Sequence, residues 1–371
     1  MAKKKNIKKN YKLRILLCLC FAILFAGIFL FEPQIYNLVN NTNKDTLQNV
    51  LETDLIIHFI DVGQGDAIAI ELPDEKIVLI DSGTHSSKTN LVSYLNTNVL
   101  KNGSKNIDYF IITHPHEDHI GGANAIFENF DVLSFYRPTV FSQSEKDFYE
   151  IEYGQEYANS LTICNTLIFN DVVLMAENEN CYTTFYSYID LPVISQNNYS
   201  FSFLTPQKIA YDNFNNYSPL IMLEYYDKTV LFTGDAEIEI ENEYLGLGID
   251  EPIDVLKVGH HGSSSSCSQD FLNRIQPQYA VISVGKENSY GHPTQSTLSK
   301  LESIGAQTFR TDKQGTIIVG LNAYSNLIIF ASGTNGLPVK IEVWEIYASG
   351  CLIAFYLIIV VSVKQKKKIK K

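Results

Sequence analysis

Thiols are scarce in this chain. Its 371 residues include 6 cysteines, at positions 18, 20, 164, 181, 267 and 351, with no C-x-x-C pair among them. That spacing excludes a thiolate zinc cluster and a disulfide framework, and leaves Cys164 and Cys181 as candidates for a single disulfide. Positive charge is scarce too, once the tails are set aside. Of 29 Lys and Arg, 13 lie in residues 1–14 and 364–371, so 16 face all 41 Asp and Glu in the portion between, a balance of −25. Such a surface does not draw in a polyanion over long range, so an anionic substrate would need local positive charge from another source, such as bound metal. Histidine numbers only 8, and none lies between His119 and Asp235.

Long uncharged runs are confined to the two ends. "ILLCLCFAILFAGIFLF", residues 15–31, follows the basic tail 1–14, and "IYASGCLIAFYLIIVVSV", residues 346–363, precedes the basic tail 364–371, with Trp344 and Tyr347 at interfacial positions. Each is long enough to span a bilayer. Lysine on the outer flank of both runs places both termini in the cytoplasm and the middle of the chain outside the cell membrane. No A-x-A site follows the first run, so it reads as an uncleaved anchor rather than a signal peptide. Residues 32–54 and 334–345 read as linkers.

Between the linkers, residues 55–333 read as one α/β domain. "LIIHFIDV", "AIAIEL" and "KIVLID" are short β-branched runs split by "GQGD" and "PDE", a strand meander. "NLVSYLNTNVL" has helical spacing and "IDYFIIT" is a further strand. The rhythm recurs from "YSFSFLTP" to "NLIIFAS", with helices over "AEIEIENEYL", "QDFLNRI" and "HPTQSTLSKLESIG". Two sheets with helices outside them is the economical layering for this order. Residues 142–199, rich in tyrosine, asparagine and acid, fit that pattern poorly and read as an insertion or lid.

Three of the eight histidines crowd into "HPHEDH", residues 114–119, directly after a strand. Loops at strand ends are where side chains converge, and imidazole and carboxylate are the ligands of zinc and similar ions. His114 and His116 can point one way, Asp118 and His119 toward a second point nearby. Asp235 in "LFTGDAE", His260 and His261 in "LKVGHHGSSSS" and His292 in "SYGHPT" each follow an apparent strand as well, as residues on a shared rim would.

These stretches, with "FIDVGQGDAIAI" and "VLIDSG" upstream, resemble the metallo-β-lactamase superfamily, and within it the hydrolase domain of ComEC-type competence proteins and the phosphorylcholine esterases. The resemblance covers residues 55–331. It implies an αββα sandwich with two divalent metal ions, most often Zn2+ and sometimes Mn2+. It also implies that His114 and His116 hold one metal, that Asp118 and His119 hold the other, and that Asp235 bridges. The superfamily's further histidine between the fourth and fifth of these is missing here. Its place falls to His261 or His260, and the remaining ligand of the second metal to His292, whose alternative role is to protonate a leaving group.

Asp81 in "LIDSG" reads as a carboxylate that orients a ligand histidine, or as a strand-end turn residue. Asp66 reads as structural, between turn glycines; His58 as core; His85 as an exposed loop residue; and the serines 263–266 as a lead into a helix.

Two such ions lower the pKa of an intervening water toward ~7, which implies hydrolysis, foremost of a phosphodiester. Asp118 or Asp235 would take the proton, and His292 or the spare member of the 260/261 pair would supply one. Three classes of activity follow from this set: a nuclease acting on DNA outside the membrane, an esterase acting on cell-envelope polymers or lipid head groups, and a non-catalytic metal-binding module. With only two candidate spans, DNA transport by this chain alone is not expected.

Overall fold

Runs of three to eight apolar-rich residues become strands wherever Gly, Pro, Asp or Asn closes them off. The computed structural model describes residues 46–332, except 101–102, 180, 188–190, 192, 197 and 324–326. In chain order the strands are β1 (Leu55–Phe59), β2 (Ile68–Glu71), β3 (Ile77–Ile80), β4 (Asn106–Ile111), β5 (Asp131–Pro138), β6 (Tyr182–Tyr186), β7 (Val193–Gln196) and β8 (Tyr199–Phe203). They continue with β9 (Ile221–Tyr225), β10 (Lys228–Phe232), β11 (Val255–Lys257), β12 (Tyr279–Ile282), β13 (Gln307–Arg310), β14 (Ile317–Leu321) and β15 (Leu327–Ala331).

Among the described residues these strands form two sheets, ordered β15-β14-β1-β2-β3-β4-β5-β6 and β13-β12-β11-β10-β9-β8-β7. Each sheet changes character midway. β1 to β3 pair antiparallel and β3 to β6 parallel. In the second sheet β8 to β10 pair antiparallel and β10 to β13 parallel.

The side-chain period of two sets the layering. In β3, Val78 and Ile80 join a core made with Phe201, Leu223, Val230 and Phe232 of the other sheet, whereas Ile77 and Leu79 join a core made with Leu91, Ile126 and Phe169 of the helices outside. A third core packs Leu231, Leu256 and Ala280 of the second sheet against Ile240, Tyr244, Phe271 and Leu301 of its helices. The order is therefore helix, sheet, sheet, helix, as expected. A strand buried on both faces, as β3 is, has no polar alternation to show.

Three expectations need restating. Within residues 142–199, β6 pairs with β5, β7 pairs with β8, and the helix Leu167–Glu179 buries Phe169, Val172 and Val173, so this part joins the sandwich, whereas the helices Gln143–Tyr153 and Gln155–Ser160 bury only Ala158 and keep the character of an insertion. The composition of β6 and β7 misleads because they are edge strands: β6 is mostly half-buried and β7 mostly exposed. The linker 32–54 is in part ordered: residues 46–51 are helical, and Val50 is buried with Ile56 and Ile318. Cys164 and Cys181 are free thiols.

No helix among the described residues is long and apolar enough to cross a membrane. The two apolar runs, 15–31 and 346–363, lie outside the described residues, as do both basic tails and the linker 334–345.

Candidate metal centre

Every cluster residue sits at or just beyond the C-terminal end of a strand. Asp81 follows β3, residues 113–119 follow β4, Asp235 follows β10, and His260 and His261 follow β11. His292 lies in the loop after β12. Two close backbone approaches fix the loops. Gly65, in the "GQGD" turn, lies so near the Asp118 carbonyl that a Cβ there would be 2.2 Å from its oxygen, and the Asp66 amide donates to that same oxygen at 3.2 Å. Downstream, His260 (φ 47°) and His261 (φ 52°) both take left-handed backbone conformations. For a non-glycine residue that conformation is strained, a condition that clusters at functional sites.

The strained turn aims the two imidazoles at opposite sides of one carboxylate. Asp235 Oδ1 lies 3.2 Å from His119 Nε2 and 3.4 Å from His261 Nε2. Its Oδ2 lies 3.8 Å from His114 Nε2 and 3.7 Å from His260 Nε2. His116 Nδ1 is 3.0 Å from His114 Nε2, and Asp118 Oδ2 is 3.3 Å from His261 Nε2. The structure thus groups Asp118, His119, Asp235 and His261 within 4.8 Å of one another, and puts His114, His116 and His260 on the other side of Asp235.

Hydrogen bonds behind the rings fix which nitrogen is left for the centre. His119 Nδ1 donates to Asp81 Oδ2 at 2.7 Å, and Thr113 donates through both its amide and its hydroxyl to the same carboxylate, each at 2.8 Å. His261 Nδ1 donates to the Ser283 carbonyl at 2.9 Å, with Asp66 Oδ1 3.5 Å away. His114 Nδ1 is held by Thr113 Oγ1 and Ser218 Oγ, at 3.1 and 3.2 Å. Each Nε2 then faces inward.

His119 Nε2, His261 Nε2 and Asp235 Oδ1 are buried, and apart from the charge contacts they make with one another and with Asp118 they have no hydrogen-bond partner. Leaving a buried polar atom unpaired costs about 1–3 kcal/mol, so three converging on one point are expected only where something else satisfies them. Two imidazoles and two carboxylates form a donor set that fits a divalent cation of the zinc type. Asp66, Asp81 and His119 form a second close group, but there the buried Lys257 ammonium already stands 2.6 Å from Asp66 Oδ2.

The charges interlock. Burial works against ionisation of Asp235, yet His119, His261 and His114 hold its carboxyl well below the usual range. Burial likewise opposes ionisation of Asp118, which His261 and His119 pull down. Burial would lower His119, but Asp235 and Asp81 hold it well above the ordinary imidazole value. His261 is raised to about 10 against its own burial, by Asp235, Asp118 and Asp66. Burial keeps His114 well below the ordinary value and lowers His116.

The centre opens into a cleft of about 480 Å³ whose lining includes His116, Asp118, Asn215, His260 and His292. His292 is not among the four residues grouped at His261. Its ring lies 5.5 Å from that of His260 and stacks on Tyr290, on the cleft wall, and burial beside His260 lowers its pKa. His58 is fully buried, bonded to Glu71 and Tyr94, and His85 lies on an exposed loop where its amide meets Glu117. Asp66, read as a turn residue, also carries the Lys257 ion pair and stands behind His261. Asn215, Ser218 and Lys257 were not anticipated from sequence; the one signal was that "NNYS", residues 215–218, lies shortly before a strand within the stretch that holds no histidine.

The sequence profile of the metallo-β-lactamase superfamily matches residues 60–286. The chain belongs to that superfamily. Among curated relatives of this superfamily member, ComE operon protein 3 of Bacillus subtilis is 29% identical over 278 residues, covering 70% of this chain and 32% of the relative. Recombination protein 2 of Haemophilus influenzae is 25% identical over 321 residues, covering 85% of this chain and 33% of the relative. The chain thus spans about a third of the length of these ComEC-type relatives. Among solved structures, the metallo-β-lactamase fold protein YhfI from Bacillus subtilis aligns with a TM-score of 0.43 at 11% identity, covering 69% of this chain and 96% of that one.

Proposed function

We propose that this superfamily member is a metal-dependent phosphodiesterase, tethered to the cell membrane by its two apolar runs with the hydrolase domain outside. The observation that carries the reading is Asp235, whose two oxygens face two separate sets of imidazoles. His114, His116 and His260 would hold one ion, Asp118, His119 and His261 the other, with Asp235 shared. Zn2+ is the first expectation from the nitrogen donors, Mn2+ the second. When bound, such a pair supplies hydroxide at neutral pH and offsets charge on the substrate's anionic oxygens.

The protein's own groups do the rest. Asp81 and Ser283 fix the tautomers of His119 and His261, so that both Nε2 atoms stay available. Asp118, which lines the cleft, would take a proton from the attacking water. His292, which lines the cleft, would hand one to the leaving oxygen. Likeness to the competence proteins favours DNA as the diester, whereas the −25 balance between the tails favours a smaller or envelope-linked one.

Metal analysis of the purified full-length chain, followed by assays with bis-p-nitrophenyl phosphate, single-stranded DNA and phosphorylcholine esters, tests this reading. Two ions per chain and turnover of at least one diester are expected, with His116→Ala lowering both ion content and rate, the latter by about 100-fold. A loaded wild-type chain inert toward all three substrates would leave only a metal-binding module.

A further inference from the structure

Beyond these ligands the cleft holds one more atom without a use. Asn215 sits in the short 3-10 helix Phe214–Tyr217 between β8 and β9, in the stretch where no histidine occurs. It is 5% exposed. Its side-chain nitrogen donates to Glu237 Oε1 at 3.2 Å and lies 3.5 Å from His260 Nδ1. That nitrogen assignment leaves Oδ1 as the free end, and Asn215 Oδ1 is buried with no hydrogen-bond partner although the residue lines the cleft. The neighbouring Phe214 ring packs edge-on against His116, at 6.1 Å, so this helix borders the His114–His116 side of the centre.

We infer that Asn215 Oδ1 is an oxygen donor to the cation on the His114–His116 side, and that it biases this position toward a hard divalent ion such as Mn2+. The inference rests on the dinuclear reading above and adds a ligand to it. An amide carbonyl is a neutral, hard ligand, suited to manganese, magnesium and calcium more than to zinc. Burying an acceptor that nothing satisfies costs stability, and a cation at the cleft floor is the partner its surroundings offer. Glu237, which also accepts from Ser265 Oγ at 3.0 Å, holds the amide in the orientation that presents oxygen.

Equilibrium dialysis of the full-length chain against Mn2+ and, separately, Zn2+, read by metal content and by the Mn2+ electron paramagnetic resonance signal, tests it without reference to turnover. Wild type should hold two Mn2+, and Asn215→Ala should bind one of them about tenfold or more weakly while its Zn2+ content changes less. Asn215→Asp, which keeps an oxygen, should retain both Mn2+, and Asn215→His should shift that position toward Zn2+. Thermal unfolding checks that each variant is folded; should Asn215→Ala not fold, the Asp and His variants decide. Unchanged Mn2+ binding in Asn215→Ala overturns the inference while leaving the hydrolase reading intact. A wild-type chain that holds neither ion sinks the dinuclear reading and this one together.

Discussion

The residue that most changes the picture is Lys257. Its ammonium, fully buried, stands 2.6 Å from Asp66 Oδ2 and donates to the Val258 carbonyl at 3.0 Å. Removing one partner of such a pair leaves an uncompensated interior charge. We therefore expect Lys257→Met to destabilise the protein by roughly 3–5 kcal/mol, and Asp66→Asn added to it to recover part of that loss. Urea unfolding measures both; equal midpoints for the single and double variants would show that the pair is not coupled. Sequence could not reveal this cation, since a lone lysine in "DVLKVG" looks like the polar face of a strand, and only the packing of two sheets shows that both faces are covered. His58 was legible for the opposite reason. It alternates with apolar neighbours in a strand that meets a covered face.

Among elements, the turn Gly259–Gly262 carries the most constraint, holding two left-handed histidines between glycines. Gly262 has φ 84°, and a Cβ there would lie 2.5 Å from the Cβ of Pro293. Gly262→Ala should displace the 292–293 loop and the histidine pair together, lowering the melting temperature by several degrees and cation affinity by about tenfold. Calorimetry with and without Mn2+ reads both, and unchanged values would mean that the turn relaxes freely. Most strands feeding the centre were legible because an apolar run ending in Gly, Asp or His marks its own boundary. The edge strands β6 and β7 were not, because short, partly exposed strands such as "YTTFY" and "VISQ" look like loop. That His261 rather than His292 stands beside Asp118 was equally hidden, since two adjacent left-handed residues reverse the direction that an extended chain would give.

For the whole molecule, proton and cation compete for the same nitrogens. His119 is held well above the ordinary value and His261 near 10, against about 6.5 when unfolded. In the metal-free protein the stability contributed by these imidazolium groups is complete below pH ~6.5 and is lost as pH rises toward about 10. Cation binding requires the neutral rings, so affinity grows across the same window. The gap in melting temperature between loaded and chelated protein should therefore widen as pH rises from 6.5 to 9; a constant gap would show that these rings are not ligands. The layering itself was legible throughout, because the order of strands and helices leaves few ways to cover two sheets.

Residues 114–119 leave the first sheet, and Asp235, His260 and His261 lie on loops that leave the second. An ion shared between them would staple together stretches more than a hundred positions apart, the task that a sulfur–sulfur bridge performs in many exported domains, whereas the described cysteines here are unpaired. Cohesion of the sandwich would then follow the supply of divalent ions in the surrounding medium and be indifferent to its redox state.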